Sequence, residues 1–274
     1  MCATCGCDHD SNVLIRKVEK ARPMELSGLH LRSVPSDKRE MQYVEGHVPL
    51  KPLKKQIDLE QDILLKNNLK AERNRGYFLA KEILALNLVS SPGSGKTSLL
   101  ERTLTDLKDE LNFYVIEGDQ QTTNDADRIA VTGVPVVQIN TGKGCHLDSE
   151  MVGSAIEKLN PAADSVVFIE NIGNLVCPAM FDLGEQSRVV IISVTEGDDK
   201  PLKYPDMFET SALCIINKVD LLPYVNFSCS KAKEYGRRIN RKLEFIELSA
   251  TTGEGMNQWY QWLKSKVAVD APVK

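Results

Sequence analysis

The stretch Leu86–Leu100 reads LNLVSSPGSGKTSLL and decides the fold class. A short apolar run leads into a glycine-containing loop that ends in Gly-Lys-Thr, and a helical pattern follows. This strand–loop–helix order is the context that a phosphate-binding P-loop requires. The stretch therefore predicts an α/β fold: a three-layer P-loop domain with a mostly parallel sheet.

The residue types of the loop predict its contacts. Glycines turn successive backbone N–H groups toward one point, and the following helix adds its N-terminal dipole. Lys96 is expected to reach the β- and γ-phosphates, and the Thr97 hydroxyl to bind Mg²⁺. Ser90 stands where the general pattern has its first glycine. A simple glycine turn explains the glycines but not the Lys-Thr pair. The predicted phosphate-binding residues are Gly93, Ser94, Gly95, Lys96, Thr97 and Ser98.

Composition limits the other possibilities. The 274 residues include 34 basic and 38 acidic side chains, a formal charge of −4, which predicts no general attraction to nucleic acid. No apolar run approaches the ~18 residues of a membrane span, and no signal-peptide pattern opens the chain. We therefore expect a cytoplasmic protein that binds neither nucleic acid nor a membrane.

Three of the seven cysteines lie within the first seven residues. In a reducing compartment, such clustering indicates metal binding or redox chemistry rather than disulfides. Cys2, Cys5 and Cys7 can converge on one ion because Gly6 lets the backbone turn tightly. Thiolates and the amine exposed by loss of Met1 suit Ni²⁺, and they also suit Zn²⁺. A redox Cys-x-x-Cys pair and a disordered tail with incidental thiols are the alternatives.

The rest of the N-terminal region predicts little regular structure. From Asp8 to about Pro52 the chain is charged and polar with scattered prolines, which is typical of a flexible tether. We therefore assign residues 1–55 to the cysteine motif and tether, and residues 56–274 to the P-loop domain. That domain begins with a predicted helix, from Ile57 to about Glu82, which Gly76 interrupts. The helix is expected to dock on the domain, and partner binding is its alternative; its apolar residues at helical spacings are Leu59, Ile63, Leu65 and Leu69.

Carboxylates follow two predicted strands. A strand over Phe113–Glu117 leads to Asp119 and Asp125, and an apolar strand from Val166 ends in Glu170. In a parallel α/β sheet these positions face the ligand. Glu170 resembles the acid that holds Mg²⁺. Asp119 and Asp125 are candidates for binding Mg²⁺ or positioning water, with a solvated acidic loop as the alternative. The predicted catalytic residues are Lys96, Asp119, Asp125 and Glu170.

A second group of thiols lies farther along the chain. Cys145 and His146 follow glycines that permit a turn toward one metal ion, and a half-buried pair beside a helix capped by Asp148 is the alternative. Cys177 comes six residues after Asn171, where a γ-phosphate-sensing switch is expected. If Cys177 joins Cys145 and His146 around a metal, metal affinity and nucleotide state are linked.

The element Asn217–Asp220, Asn-Lys-Val-Asp, predicts the base. The Asp carboxylate accepts hydrogen bonds from the ring N–H and exocyclic amine of guanine, a donor pattern that adenine lacks. GTP with Mg²⁺ is therefore the predicted ligand. The apolar residues 221–225 that follow are either core or an interface that pairs two subunits across their nucleotides. The predicted base-binding residues are Asn217, Lys218 and Asp220, with Ser249 and Ala250 offering a main-chain N–H.

Together these motifs resemble the HypB family, the nickel-handling GTPases of nickel–iron hydrogenase maturation. The resemblance covers nearly all of Ile57–Leu263 and the extreme N-terminus, and Ser90 is usual for this family. The matching motifs are Cys2-x-x-Cys5-Gly6-Cys7, the Ser-Ser-Pro-Gly-Ser-Gly-Lys-Thr loop, Glu117-Gly118-Asp119-Gln120-Gln121, Gly144-Cys145-His146, Glu170-Asn171-Ile172-Gly173-Asn174 with Cys177-Pro178, and Asn217-Lys218-Val219-Asp220.

The resemblance implies a SIMIBI-class GTPase that dimerises with GTP and delivers nickel to the hydrogenase large-subunit precursor, with hydrolysis coupled to transfer. The implied companion is the nickel protein HypA. Two metal sites are implied: a tight nickel site at Cys2, Cys5 and Cys7, and a weaker nickel or zinc site at Cys145, His146 and Cys177.

Three other functions share parts of the pattern. The urease-maturation GTPases have a similar domain, but their metal loop is expected to read Cys-Pro-His. In this chain Cys177-Pro178 is followed by Ala179 instead. A regulatory GTPase with a structural zinc is a second alternative, and a P-loop kinase is a third.

Overall fold

The structure is a computed structural model that describes residues 14–18, 53–120 and 124–270. Eight strands of the described chain form one sheet. Their bounds are β1 Leu14–Val18, β2 Leu84–Ser90, β3 Phe113–Asp119, β4 Val136–Asn140, β5 Val166–Glu170, β6 Ser187–Ser193, β7 Leu213–Asn217 and β8 Glu244–Glu247.

Helices connect these strands. Their bounds are α1 Leu53–Ala80, α2 Lys96–Leu107, α3 Asn124–Val131, α4 Ser149–Leu159, α5 Cys177–Met180, α6 Lys200–Lys203, α7 Pro205–Glu209, α8 Cys229–Ile239 and α9 Met256–Asp270, with a 3-10 helix over Val219–Tyr224. None of the helices in the described residues combines the length and the apolar character needed to cross a membrane.

The sheet has the order β1-β4-β3-β5-β2-β6-β7-β8. Strands β2 to β8 run parallel to their neighbours, and only β1, at one edge, runs antiparallel among the strands described. The strand that precedes the P-loop, β2, lies between β5 and β6. The carboxyl ends of the parallel strands therefore meet at one edge, where α/β proteins bind their ligands. The predicted fold class is confirmed.

Alternating side chains of β2 show the three layers. Leu84, Leu86 and Leu88 pack in one cluster with residues of α2, α3 and α9. Ala85, which points to the opposite face, packs with residues of α1 and α4. Because helices cover both faces, every residue of β2 is buried, as is usual for a parallel strand.

Strand β1 lies within the segment that the sequence assigns to a flexible tether. Leu14–Val18 pairs with Val136–Asn140, and Ile15 packs against the cluster beneath α4. The strand is short and contains the exposed Lys17, features that discourage pairing of a sheet edge with other chains. The prediction of a tether without regular structure is therefore wrong for these five residues.

Helix α1 docks on α4, as predicted, but differs from the prediction in two respects. It continues through Gly76 without interruption, because the surroundings of that residue are open and a single glycine only weakens a helix. Its buried face is also largely polar. Asn67 and Asn74 are buried there beside Ala71 and Phe78, whereas Leu65 and Leu69 are exposed; the exposed fractions of those two leucines are 60% and 67%.

The register of β3 and β5 places two buried carboxyl groups side by side. Glu117 lies opposite Glu170, and the exposed fraction of each residue is at most 1%. Burial and the neighbouring Glu170 raise the pKa of Glu117 to about 9, although Lys96 opposes the shift. Glu117 is therefore protonated at neutral pH, while Glu170 pairs with the Lys96 ammonium at 2.8 Å.

This pair predicts a pH-dependent stability. The folded-state pKa of Glu117 is raised to about 9 from 4.5. The contribution of this side chain to the free energy of unfolding is therefore fully present below pH 4.5 and is lost as the pH rises toward 9. Glu117→Gln introduces a neutral side chain of the same size, so the free energy of unfolding of the variant does not have this pH dependence. We expect the variant's melting temperature to rise relative to the parent's as pH increases from 5.5 to 8.5, with a limiting slope of about 1.4 kcal/mol per pH unit in the free energy of unfolding. Thermal unfolding without Mg²⁺ measures this difference.

The exposed Glu254 offers a matched control. Glu254→Gln should follow the parent across the same pH range. A difference between Glu117→Gln and the parent that stays constant with pH would contradict the assignment of a buried, neutral carboxyl group.

Candidate functional site

The loop between β2 and α2 curves around a cavity of about 540 Å³. Gly93 and Gly95 adopt left-handed backbone conformations there, with φ of 75° and 90°. A Cβ atom on Gly95 would lie 2.5 Å from Nδ2 of Asn217, so the close approach requires glycine. All six predicted phosphate-binding residues line this cavity: Gly93, Ser94, Gly95, Lys96, Thr97 and Ser98.

One carboxylate oxygen joins the loop to β5. Oε1 of Glu170 lies 2.8 Å from Nζ of Lys96 and accepts a hydrogen bond from Oγ1 of Thr97 at 2.6 Å. The second oxygen, Oε2, is buried without a hydrogen-bond partner among the described residues. A buried anionic oxygen beside a hydroxyl oxygen is the donor set that Mg²⁺ prefers. These residues therefore fit the predicted magnesium ion.

Both predicted aspartates line the same cavity. Asp119 ends β3, and its carboxylate accepts a hydrogen bond from the N–H of Gln120 at 2.6 Å. Asp125 lies in the first turn of α3 and pairs with Arg128 at 3.3 Å. Burial and Glu170 raise the pKa of Asp125, which indicates crowding of negative charge that a cation would relieve.

Glu117 and Arg128 are residues of this site for which the sequence predicted no role, although Glu117 lies in one of the matching motifs. Glu117 lies two residues before Asp119 in β3, so strand alternation turns both toward the same face of the sheet. Arg128 lines the cavity and binds Glu101 at 2.6 Å and Ser98 at 3.2 Å. The alternation in β3 could have identified Glu117, whereas the contacts of Arg128 depend on the packing of α3 against α2.

The predicted base-binding residues lie at the end of β7. Nδ2 of Asn217 donates to the Ser94 carbonyl at 2.9 Å, and its Oδ1 accepts from the N–H of Ala250 at 3.1 Å. Nζ of Lys218 donates to the Gly93 carbonyl at 2.7 Å. In this structure the Ala250 N–H is thus used by Asn217, and the N–H of Ser249 donates to a main-chain carbonyl.

Asp220 has an unsatisfied carboxylate. It lies in the first turn of the 3-10 helix, and its Oδ1 is buried with no hydrogen-bond partner among the described residues. Leaving such an atom unpaired is unfavourable. The two N–H donors of guanine would satisfy it, so the residue fits the predicted base.

Cys145, His146 and Cys177 form one cluster. Their ligand atoms all lie within 4.8 Å of one another, with 2.9 Å between the two sulfurs and 3.7 Å from the Cys145 sulfur to Nδ1 of His146. The His146 ring stacks on Phe181 with centroids 3.9 Å apart. Burial lowers its pKa, which favours the neutral imidazole that binds metals. Two thiols and an imidazole suit Zn²⁺ or Ni²⁺.

Asp148 also caps α4, as the alternative interpretation of this loop predicts. Its side chain accepts a hydrogen bond from the N–H of Met151. The cap and the cluster are compatible, because the cap fixes where α4 begins and thereby holds His146 beside Cys177. The other predicted ligands, Cys2, Cys5 and Cys7, lie outside the described residues.

Two side chains connect this cluster to the nucleotide cavity. Nε2 of Gln120 donates to the Gly144 carbonyl at 3.1 Å, and Nδ2 of Asn174 donates to the Cys145 carbonyl at 3.2 Å. Gln120 follows Asp119 directly, and Asn174 lies in the predicted γ-phosphate-sensing segment between Glu170 and Cys177. The segment after β3 and the predicted switch therefore both contact the loop that contains Cys145.

Comparison with known proteins identifies relatives along most of the chain. Residues 84–247 match the family model "CobW/HypB/UreG, nucleotide-binding domain". The hydrogenase maturation factor HypB of Escherichia coli K12 is 49% identical over 97% of this chain and 99% of the relative. HypB of Rhizobium leguminosarum bv. viciae is 57% identical over 81% of this chain and 74% of the relative.

Solved structures agree with the sequence matches. HypB from Helicobacter pylori, solved in complex with nickel, is 38% identical with a TM-score of 0.70 over 75% of this chain and 96% of that one. HypB from Archaeoglobus fulgidus is 37% identical with a TM-score of 0.70 over 74% and 99% of the two chains. The chain belongs to the HypB hydrogenase maturation factors of the CobW/HypB/UreG family.

Proposed function

We propose that this protein is a GTP-hydrolysing nickel metallochaperone that delivers nickel to the large subunit of a nickel–iron hydrogenase, with hydrolysis coupled to metal transfer. The observation that carries the proposal is the cluster of Cys145, His146 and Cys177, whose third member follows Glu170 by seven residues. Glu170 contacts the P-loop residues Lys96 and Thr97. The names of the relatives support the recipient, and the nickel complex of the Helicobacter pylori relative supports the metal.

In the proposed hydrolysis, the P-loop N–H groups and Lys96 hold the phosphates. Thr97 and Glu170 would hold Mg²⁺, and the bound ion would supply positive charge against the phosphate oxygens. Asp119 or Asp125 orients the attacking water, since both line the cavity beside the loop. Asp220 selects guanine through its unpaired oxygen.

In the proposed metal cycle, Cys2, Cys5 and Cys7 form the tight nickel site. Cys145, His146 and Cys177 form a weaker site for nickel or zinc, whose affinity depends on the nucleotide because Cys177 and Glu170 belong to one continuous segment. This chemistry requires reduced thiols, so we place it in the cytoplasm.

Nickel transfer tests the main proposal. We expect the nickel-loaded chain to transfer nickel to the metal-free large-subunit precursor faster with GTP than with a non-hydrolysable analogue, measured as nickel in the reisolated precursor.

Replacing Cys2, Cys5 and Cys7 together with serine should abolish tight nickel binding and leave the GTPase rate unchanged. Transfer that is indifferent to the nucleotide, or unchanged nickel affinity in the triple variant, would contradict the proposal.

Base recognition gives a second test. In Asp220→Asn the new amide can donate to the exocyclic carbonyl of xanthine, while its oxygen still accepts from the ring N–H. We expect the ratio of xanthosine to guanosine triphosphate affinities to increase about tenfold or more. Nucleotide competition measures this ratio, and Asp206→Asn, which alters an exposed carboxylate on α7, is the control. An unaltered preference for GTP would remove Asp220 from the base site.

We further propose that GTP binding pairs two copies of the chain, and that a HypA-type nickel protein is the companion. Tyr224 is 82% exposed, and Leu221 and Leu222 are only partly buried. This apolar surface belongs to the same 3-10 helix as Asp220, so bound nucleotide can position it.

Sedimentation tests the pairing. We expect a dimer with the GTP analogue and Mg²⁺ and a monomer with GDP. Tyr224→Asp should abolish the dimer without weakening nucleotide binding, because the ring makes few contacts within its own chain. A monomer in both nucleotide states of the parent would refute the pairing.

A further inference from the structure

A buried ion pair lies near the segment of Cys177 and does not line the nucleotide cavity. Nη2 of Arg188 lies 3.1 Å from Oε1 of Glu185, and each side chain is only 6% exposed. Burial alone would raise the pKa of Glu185, but Arg188 and the amide of Asn87 outweigh it and lower that pKa. Buried ion pairs are weak contributors to stability, because desolvation offsets their attraction. Stability alone therefore does not account for this pair.

Arg188 holds the segment that contains Cys177. Its guanidinium donates to the carbonyl of Ala179 at 3.1 Å and to that of Phe181 at 3.0 Å. Phe181 in turn stacks on His146. The planar, forked guanidinium can bind both carbonyls and Glu185 together, which a lysine ammonium cannot reproduce in the same geometry.

Glu185 extends the connection toward the nucleotide. Nδ2 of Asn87, in the middle of β2, donates to Oε1 of Glu185 at 3.0 Å. Nδ2 of Asn171 donates to Oδ1 of Asn87 at 3.3 Å. Asn171 follows Glu170 directly, and its own Oδ1 accepts from the N–H of Leu147 at 3.3 Å, beside His146. All of these side chains are at least 90% buried.

We propose that Arg188 is a positioning residue for the second metal site, and that its link through Glu185, Asn87 and Asn171 transmits the nucleotide state to that site. Asn171 fixes the loop of His146, and Arg188 fixes the segment of Cys177. A shift of Glu170 on nucleotide exchange therefore changes the separation of the ligands. The inference rests on the proposed function in one respect, namely that Cys145, His146 and Cys177 bind metal.

Two variants separate positioning from general structural support. Arg188→Lys keeps a positive charge for Glu185 but loses the fork that binds the two carbonyls. The double variant Arg188→Met with Glu185→Leu removes both charges, so neither is left buried and unpaired. Asn240→Ala is the matched control, because Asn240 also donates to three main-chain carbonyls but does not touch either ligand segment.

The measurement uses the full chain with Cys2, Cys5 and Cys7 replaced by serine, so that only the second site binds metal. Zn²⁺ and Ni²⁺ affinities are determined by chelator competition with GDP and with a non-hydrolysable GTP analogue. The near-ultraviolet absorbance of the nickel–thiolate bonds reports the ligand geometry independently. Nucleotide affinity and thermal unfolding are measured alongside.

We expect both Arg188 variants to weaken metal binding about tenfold or more, the range for residues that support metal ligands. The ratio of metal affinities between the two nucleotide states should move toward one, and the nickel–thiolate band should change. In the metal-free chain, nucleotide affinity should stay within about twofold of the parent, since no nucleotide contact is removed and coupling to the metal acts only when metal is bound. Asn240→Ala should leave the metal affinity, the ratio and the band unchanged.

The inference would be overturned if a folded Arg188 variant had the parent's metal affinity, the parent's nickel–thiolate band and the parent's ratio of metal affinities between the two nucleotide states. It would also be overturned if Asn240→Ala lost as much metal affinity as the Arg188 variants. If the double variant does not fold, Arg188→Lys alone decides. Cys177→Ser separates the two proposals: unchanged metal affinity in that variant defeats the metal site itself, whereas a loss there with no loss in the Arg188 variants defeats only the positioning role.

Discussion

The architecture depends on one buried carboxylate. Glu170 is completely buried at the end of β5, and a buried anion is tolerated only with a charged or hydrogen-bonding partner. Lys96 and Thr97 provide that partner on one oxygen, which fixes the P-loop against the next strand of the sheet. When phosphate oxygens attract Lys96, the balance of charge at Glu170 changes. The segment from Asn171 to Cys177 begins directly after this residue, which gives the proposed coupling a short path to the thiols.

Polar residues inside the sheet mark the same path. Parallel strands covered on both faces are normally continuous apolar runs, yet β2 contains Asn87 and β3 contains Glu117, both almost completely buried. These residues interrupt otherwise consistent patterns, and such interruptions concentrate at functional sites. Glu117 lies beside Glu170 on the nucleotide side, whereas Asn87 connects Asn171 to Glu185 on the metal side. The two polar positions thus serve the two halves of the proposed coupling.

Local motifs made the nucleotide site predictable, because Lys96, Glu170 and Asp220 each belong to a short pattern with a chemical reason. The sequence could state only that Cys177 would share a metal with Cys145 and His146 if the three came together. Whether they do depends on how two loops pack. The contacts of Arg188 were not predictable, because every residue has a main-chain carbonyl and the sequence does not indicate which of them accept hydrogen bonds from a side chain. The buried face of α1 was hidden for a similar reason: amides of asparagine, rather than a stripe of leucines, dock it.

Helix α1 holds both segments of the proposed metal site. Asn67 donates to the Asp182 carbonyl at 2.7 Å, and Asn74 donates to the carbonyls of Ser149 at 2.7 Å and Leu183 at 3.1 Å. Both ligand segments are therefore anchored to α1 just beyond their last ligand, while their other ends follow the nucleotide strands. A Cβ on Gly184 would lie 2.5 Å from the Ala71 carbonyl, so this anchoring is close-packed. The stretches between these anchors and the nucleotide strands are short, and small displacements there are enough for the proposed coupling, because metal sites require ligand distances within a few tenths of an ångström.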